Sequence, residues 1–207
     1  MYTLKYPVDN PNISQAFGFD NTNHPLRKEF YKLFDNKHPG VDFSIPVGTK
    51  AFAAYPGIVV RRENHRGMGK IIATRNGNIV FLYAHISKFK VDFGEIVEQG
   101  DLIGLSGNTG VACNKPHLHF ETRNIAKSSL NNAVFDPPFG KSIKQHRDTF
   151  SYKVNNKNTK KNWRSLSKLF FGTVDHWNTI RQANSHIERA SDRTLPDSKK
   201  VFIPNYY

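Results

Sequence analysis

Short apolar runs separated by turn signals dominate the chain from about residue 8 to about residue 140. Asn76-Gly77 lies between two β-branched runs, and this arrangement predicts a hairpin. Within this part of the chain, helical periodicity is confined to one stretch, in which Leu26, Phe30 and Phe34 recur every four residues. The runs that we expect to form strands are 50–54, 57–60, 71–74, 79–83 and two runs within 95–104. The pattern therefore predicts a mainly β fold built on antiparallel sheet.

The hydrophobic pattern changes from about residue 141. Residues 141–161 are polar and end in a run of Lys and Asn, which predicts a solvated loop or linker. Strand-like runs at 150–154 and 201–203 enclose two helical patterns, so the predicted order is strand, helix, helix, strand. The helical positions are Trp163, Leu166, Leu169 and Phe170, with Gly172 as the cap, and then Trp177, Ile180 and Ala183. We expect both tryptophans to pack in the core of this unit rather than to stack on sugar rings.

The composition supports a folded chain and limits its chemistry. Hydrophobic residues make up 38% of the 207 residues, which is enough for a packed core. The single cysteine, Cys113, excludes an internal disulfide and a cysteine-rich zinc site, so a metal would be held by histidine and carboxylate. The net charge of +13 predicts attraction to polyanions, which include nucleic acid, an anionic cell wall and a membrane surface. No nucleic-acid reading element is present in the sequence, so we expect no nucleic-acid partner.

The sequence contains neither a membrane span nor a secretory signal. No apolar run approaches the roughly 20 residues that cross a bilayer. Residues 1–10 lack the charged start and the apolar stretch of a signal peptide. We therefore expect a protein that is not exported by that route, or one exported by a route or leader that is not visible in this chain.

Residues 116–121 have the alternating pattern of a strand and contain two histidines. His117 and His119 are two residues apart, so on an extended segment both imidazoles point to the same face of a sheet. This arrangement suits a metal ligand with a second working histidine beside it. Glu121 follows on the same face, where it either orients a ligand or lies on the surface at the end of the strand.

Two upstream segments could complete a metal site. The Pro-Gly pair between His38 and Asp42 disfavours a helix, and we expect a loop that enters a strand there. His38, Asp42 and His119 would together supply two nitrogens and one oxygen. This number of donors suits catalytic zinc, which usually has three protein ligands and one open position. His85 and His117 are then not assigned to the metal, and an imidazole near its ordinary pKa suits a general base.

These segments resemble, in the same order, the blocks of lysostaphin-type zinc endopeptidases, which cleave peptidoglycan cross-bridges. The resemblance covers about residues 12–140. A single His-x-His would be weak support, whereas a full set of blocks in one order is specific. The matching blocks are 13–18, 38–43, 82–87, 104–110, 116–121 and 135–137.

The resemblance implies an antiparallel β-sheet metallopeptidase domain that binds one Zn²⁺ per chain. It implies that His38, Asp42 and His119 are the zinc ligands. It also implies that His85 and His117 form the catalytic pair that activates water and stabilises the oxyanion. Because every one of these residues is present, we expect an active enzyme that hydrolyses peptide cross-links of bacterial peptidoglycan.

Two stretches depart from the family pattern. The stretch between Gly18 and His38 is longer than a minimal member needs. The loop at 111–116 contains Cys113 and other residues where relatives often have small ones. We expect both stretches to line the cleft, and we expect Cys113 to be a small buried residue rather than a reactive thiol. Because loops set the cleft, the sequence does not separate glycine bridges from stem links that contain D-Ala.

The C-terminal region resembles the βααβ LysM-like modules of phage tail and baseplate proteins. The resulting division is a peptidase domain at 1–142, a polar linker and first strand region at 143–161, and a docking or wall-binding module at 150–207. This resemblance predicts a virion-associated enzyme that acts at the bacterial cell wall, with tail or baseplate subunits as partners through 150–207. One alternative stays open, namely a structural tail, baseplate or wall-binding protein in which hydrolysis is minor or absent.

Overall fold

The structure is a computed structural model that describes residues 2–20, 23–127, 129–143, 150–154, 161–171, 177–182, 187, 194–195 and 200–203. Strands dominate up to residue 143, as the apolar runs predict. They are β1 (Ile13–Gln15), β2 (Val41–Phe43), β3 (Lys50–Phe52), β4 (Gly57–His65), β5 (Gly69–Asn76), β6 (Ile79–Ile86), β7 (Lys88–Phe89), β8 (Ile96–Val97), β9 (Leu102–Leu105), β10 (Leu118–Asn124) and β11 (Val134–Phe135). The helical stretch predicted from Leu26 is α1 (Pro25–Tyr31), continued by a 3₁₀ turn (Lys32–Phe34), and α2 (Leu130–Ala133) is a single turn.

An eight-stranded antiparallel sheet forms the centre of the described part of the chain. Its strand order is β1-β2-β10-β6-β5-β4-β8, and β11 also pairs with β10. A three-stranded sheet has the order β3-β9-β7. The predicted hairpin joins β5 to β6, where Asn76 pairs with Ile79. Gly77 in its loop has a φ of 56°, in the left-handed region that favours glycine.

The two faces of the large sheet differ in chemistry because side chains alternate along each strand. One face contributes Phe43, Leu118 and Phe120, all fully buried, to the main hydrophobic core. The opposite face of β2 and β10 presents Asp42 and His119, which are paired across the two strands. Sequence alternation therefore places the predicted site on the face away from the main core.

The C-terminal elements follow the predicted order. β12 (Phe150–Lys153) pairs antiparallel with β13 (Lys200–Ile203), and α3 (Trp163–Phe171) and α4 (Trp177–Gln182) lie between them in the chain. Trp163 is fully buried in a cluster that also includes Ile58 of β4, so this unit packs on the large sheet. Trp177 is partly buried against the same cluster. The core prediction for Trp163 is confirmed.

Some predicted features lie outside the described residues, namely the cap at Gly172, Ala183 and the Lys/Asn run at 155–160. Within the described part of the chain, no helix is both long and apolar enough to cross a membrane.

Gly40 has little room for a side chain beside the predicted site. A Cβ at Gly40 would lie 2.3 Å from the carbonyl oxygen of Phe120 and 3.0 Å from Cε1 of His119. We expect Gly40→Ala to lower the free energy of unfolding by about 1–3 kcal/mol, because the backbone oxygen can move only by disturbing the β2–β10 pairing. Denaturant unfolding of the metal-free protein measures this effect.

Gly67→Ala is the matched control for that substitution. A Cβ at Gly67 would meet its nearest atom, on the His65 side chain, at 3.5 Å, which is ordinary contact. We therefore expect the Gly67 variant to unfold close to the wild-type midpoint. Equal destabilisation by the two substitutions would contradict the steric argument.

Candidate metal centre

Three predicted metal-binding atoms lie close together in the structure. The Nε2 atom of His38 is 3.1 Å from Nδ1 of His119 and 3.2 Å from Oδ1 of Asp42. The distance between His119 Nδ1 and Asp42 Oδ1 is 2.7 Å. All three residues are buried, so the donor atoms are protected from bulk water. Two nitrogens and one carboxylate oxygen at this spacing form a donor set that fits zinc.

The backbone around His38 explains why its Nε2 atom is available. The segment before Asp42 is a loop that enters β2, as the Pro-Gly pair predicts. The Nδ1–H group of His38 donates to the carbonyl oxygen of Ala16 at 3.0 Å, which leaves Nε2 with its lone pair directed at the other donors. The tautomer needed for metal binding is therefore set by a backbone contact.

Glu121 orients the His119 ring by contacting Nε2, the ring nitrogen that points away from the other donors. It is fully buried, and its Oε1 accepts a hydrogen bond from Nε2 of His119 at 2.8 Å. Burial acts to raise the pKa of Glu121, but Arg123 and the His119 contact outweigh it and lower that pKa to about 2. Of the two interpretations of Glu121, the structure supports the orienting one, because an ionised carboxylate fixes the ring with Nδ1 toward the site.

We expect Glu121→Gln to weaken zinc binding by about 10- to 100-fold, because the neutral amide holds the His119 ring less firmly and makes it a weaker donor. Competition with a chromophoric chelator measures the affinity. Glu63→Gln is the control, since Glu63 is exposed and pairs with Arg61 on β4. Unchanged affinity in the Glu121 variant would show that this contact does not support the metal site.

His85 and His117 lie beside the three donors. Their ring centroids are 4.4 Å apart, and the Nδ1–H group of each donates to a carbonyl oxygen at 2.7 Å, of Thr109 and Lys115 respectively. The buried Nε2 of His117 has no hydrogen-bond partner among the described residues and lies 3.6 Å from Oδ2 of Asp42. Burial lowers the pKa of His85 to about 3 and also lowers that of His117. Both shifts favour the neutral ring, whose Nε2 carries a lone pair.

A β-bulge positions His85. Ile72 pairs with Tyr83, whereas Lys70 pairs with Ile86, so β6 has one residue more than β5 across this stretch. His85 occupies the bulge with a φ of 63°, which is unusual for a residue other than glycine. This conformation costs of order 1–3 kcal/mol and occurs most often at functional sites.

The two stretches that depart from the family pattern both line the cleft, as expected. α1 supplies Leu26, Arg27 and Phe30 to one cavity, and the loop at 111–116 lines that cavity and a second one. The Nη2 atom of Arg27 lies 2.6 Å from Oδ2 of Asp42. Arg27 is not predicted by any motif, and the only signal for it in the sequence is the length of the stretch between Gly18 and His38.

Cys113 is partly exposed rather than fully buried. Its Sγ atom lies 3.4 Å from Nδ1 of His117, close enough for His85, Cys113 and His117 to share a metal ion. Burial nevertheless raises the pKa of the thiol to about 12, so it is protonated at neutral pH. Because a metal binds the thiolate, this group is a poorer zinc site than the His38, Asp42 and His119 set.

Several known proteins with related sequences are named as peptidoglycan endopeptidases. The peptidoglycan DD-endopeptidase ShyA of Vibrio cholerae is 39% identical over 119 residues, which are 56% of this chain and 26% of that protein. The glycyl-glycine endopeptidase ALE-1 of Staphylococcus capitis is 38% identical over 123 residues, which are 58% of this chain and 33% of that protein. The chain thus spans between a quarter and a third of the length of these relatives.

A solved structure has the same fold. The catalytic domain of the antimicrobial peptidase lysostaphin from Staphylococcus simulans aligns with a TM-score of 0.52 and 29% identity. The alignment covers 62% of this chain and 90% of that chain. The predicted antiparallel β fold is confirmed by this match.

The sequence profile of Peptidase family M23 matches residues 36–137. This range contains all five residues that were predicted to form the site, and the structure brings the five side chains together in one cleft. Residues 36–137 of this chain are therefore similar to Peptidase family M23.

Proposed function

We propose that this protein is a zinc-dependent endopeptidase that hydrolyses peptide cross-links of bacterial peptidoglycan. The observation that carries the proposal is the cluster of His38 Nε2, Asp42 Oδ1 and His119 Nδ1, each within 3.2 Å of the others. The neutral imidazoles of His85 and His117 stand beside this donor set. The activities of the relatives support the same substrate class.

Each site residue has a role in this proposal. His38, Asp42 and His119 would hold one Zn²⁺ per chain, and the bound ion supplies a Lewis acid that polarises the peptide carbonyl and lowers the pKa of water. Between them, His85 and His117 take one proton at Nε2 from the attacking water, and the ring that carries it donates a hydrogen bond to the developing oxyanion. The water oxygen bonds to the carbonyl carbon, the peptide C–N bond breaks, and that proton passes to the leaving amine nitrogen.

We further propose that residues 150–207 form a LysM-like docking or wall-binding module and that the enzyme is virion-associated. The order β12, α3, α4, β13 and the pairing of the two strands support a βααβ module. The net charge of +13 suits an anionic wall, and this attraction would weaken with salt because exposed charges are screened. Mass spectrometry of purified virions tests the setting and would identify tail or baseplate partners.

Digestion of purified sacculi tests the activity. We expect the zinc-loaded protein to release soluble fragments with new peptide amino ends and to leave the glycan strands intact. Mass spectrometry of the fragments identifies the bond that is cut. If no ends appear although zinc is present at one equivalent, the proposal fails, and the structural or wall-binding alternative takes its place.

A further inference from the structure

Arg27 is the charged group that α1 places against the candidate metal centre. Its Nη2 atom donates to Oδ2 of Asp42 at 2.6 Å, while Oδ1 of the same carboxylate belongs to the metal-binding set. One carboxylate group therefore separates the guanidinium from the metal position. The side chain is only 12% exposed, so α1 and the sheet hold it in place.

Arg27 lines two cavities that both adjoin the centre. We name the first, of about 520 Å³, the apolar cavity, because Leu26, Phe30, Met68 and Val111 form much of its wall. We name the second, of about 510 Å³, the polar cavity, because its wall includes Ser14, Gln15, Ser44, Asn114 and Lys115. His85 and His119 line the apolar cavity, and Asp42 and His117 line the polar one. A peptide bound at the centre would thus have an apolar and a polar environment within reach.

The cleft is positively charged. Arg27, Arg66 and Lys115 line the two cavities. The acidic groups there are Glu29, which is paired with Lys32 at 2.6 Å, and Asp42, which is committed to the centre and to Arg27. A guanidinium has five N–H donors in a planar fork, and the contact with Asp42 uses only one edge of it. The remaining donors suit a carboxylate, the partner that this geometry recognises best.

We propose that Arg27 binds a free carboxylate of the substrate beside the scissile bond. The substrate class is then a stem-peptide cross-link that carries such a carboxylate, as a bond between D-Ala and a diamino acid does, rather than an uncharged glycine bridge. A glycine bridge has the same small, neutral groups on both sides of the bond, and it has no side chain to occupy either cavity. This inference rests on the proposed peptidase function and adds the identity of the cross-link.

Two synthetic cross-linked peptides test the inference. They are identical except that the carboxylate beside the scissile bond is free in one and amidated in the other. We expect the zinc-loaded wild-type protein to cleave the free form with a kcat/KM about 10- to 100-fold higher, because a hydrogen bond between charged groups is lost in the amide. The difference should lie mainly in KM.

Arg27 variants test whether this residue causes the preference. We expect Arg27→Gln to bring the ratio of the two kcat/KM values close to one, and Arg27→Lys to give an intermediate ratio because it keeps the charge without the fork. Lys28→Gln removes the same charge from the exposed neighbouring position of α1 and should keep the wild-type ratio. Zinc content is measured for every variant, so that a changed ratio is not attributed to loss of the metal.

The outcomes separate this inference from the proposed function. If the wild-type protein cleaves neither peptide and does not digest sacculi, both proposals are overturned. If it cleaves the two peptides equally, or if Arg27→Gln keeps the preference, only the role of Arg27 is overturned. An equal gain of activity on both peptides in Arg27→Gln would also overturn it, because Arg27 would then obstruct the cleft rather than bind substrate.

Discussion

His119→Ala is expected to abolish zinc binding and peptidase activity together. The substitution removes the Nδ1 atom that lies 2.7 Å from Oδ1 of Asp42 and 3.1 Å from Nε2 of His38. Two remaining ligands fall short of the three that catalytic zinc requires. It also removes the hydrogen-bond partner of buried Glu121, so this carboxylate loses one of its two compensating contacts. A buried carboxylate with fewer partners destabilises the folded state. We therefore expect a lower free energy of unfolding together with the loss of metal.

Zinc content and cleavage, measured on the same samples, check this expectation. The variant should contain far less than one zinc per chain after dialysis, and its activity should fall to the background. Circular dichroism shows whether the strands are retained, which separates loss of the ligand from loss of the fold. A variant that keeps one tightly bound zinc would rule out His119 as a ligand.

His85→Ala is expected to retain zinc and to lose turnover by about 10²- to 10⁴-fold, the usual contribution of a general acid–base group. His85 is not one of the three clustered donors, and its Nδ1–H group is held by the carbonyl oxygen of Thr109. Burial lowers its pKa to about 3, so the ring is neutral and its Nε2 carries a lone pair. Its removal should therefore affect kcat while zinc stoichiometry stays near one.

The left-handed backbone at His85 calls for a second variant. Alanine tolerates a φ of 63° poorly, whereas asparagine adopts this region more readily. We expect His85→Asn to be more stable than His85→Ala and equally slow, because neither side chain can take up the proton. If either variant keeps wild-type kcat, or if both lose zinc, His85 does not have the role proposed for it.

Much of the site could be predicted because its residues lie in short sequence patterns that determine local backbone structure. The alternation in residues 116–121 places His117 and His119 on one face, and the Pro-Gly pair after His38 predicts a loop into a strand. The pairing of Asp42 with His119 across β2 and β10 then brings the donors together. These features depend on strand periodicity and on the order of the blocks, both of which are visible in the sequence.

Other features depend on contacts between segments that are distant in the chain. The bulge at His85 arises from the mismatch between β5 and β6, and no turn residue marks it. The contact between Arg27 and Asp42 joins a helix of an unusually long insertion to the sheet. The packing of Trp163 against Ile58 likewise joins the C-terminal elements to β4. Local periodicity predicts the helices and strands themselves. It does not predict the contacts between them, which depend on tertiary packing.

Zinc titration of the metal-free protein is the most direct test of the central claim, that one zinc held by His38, Asp42 and His119 drives cross-link cleavage. The release of new peptide amino ends from sacculi is measured as zinc is added to protein at a concentration well above its dissociation constant. We predict that the metal-free protein is inactive and that activity rises linearly and reaches a plateau at one zinc per chain. Full activity without zinc, or no activity at one bound equivalent, would contradict the account.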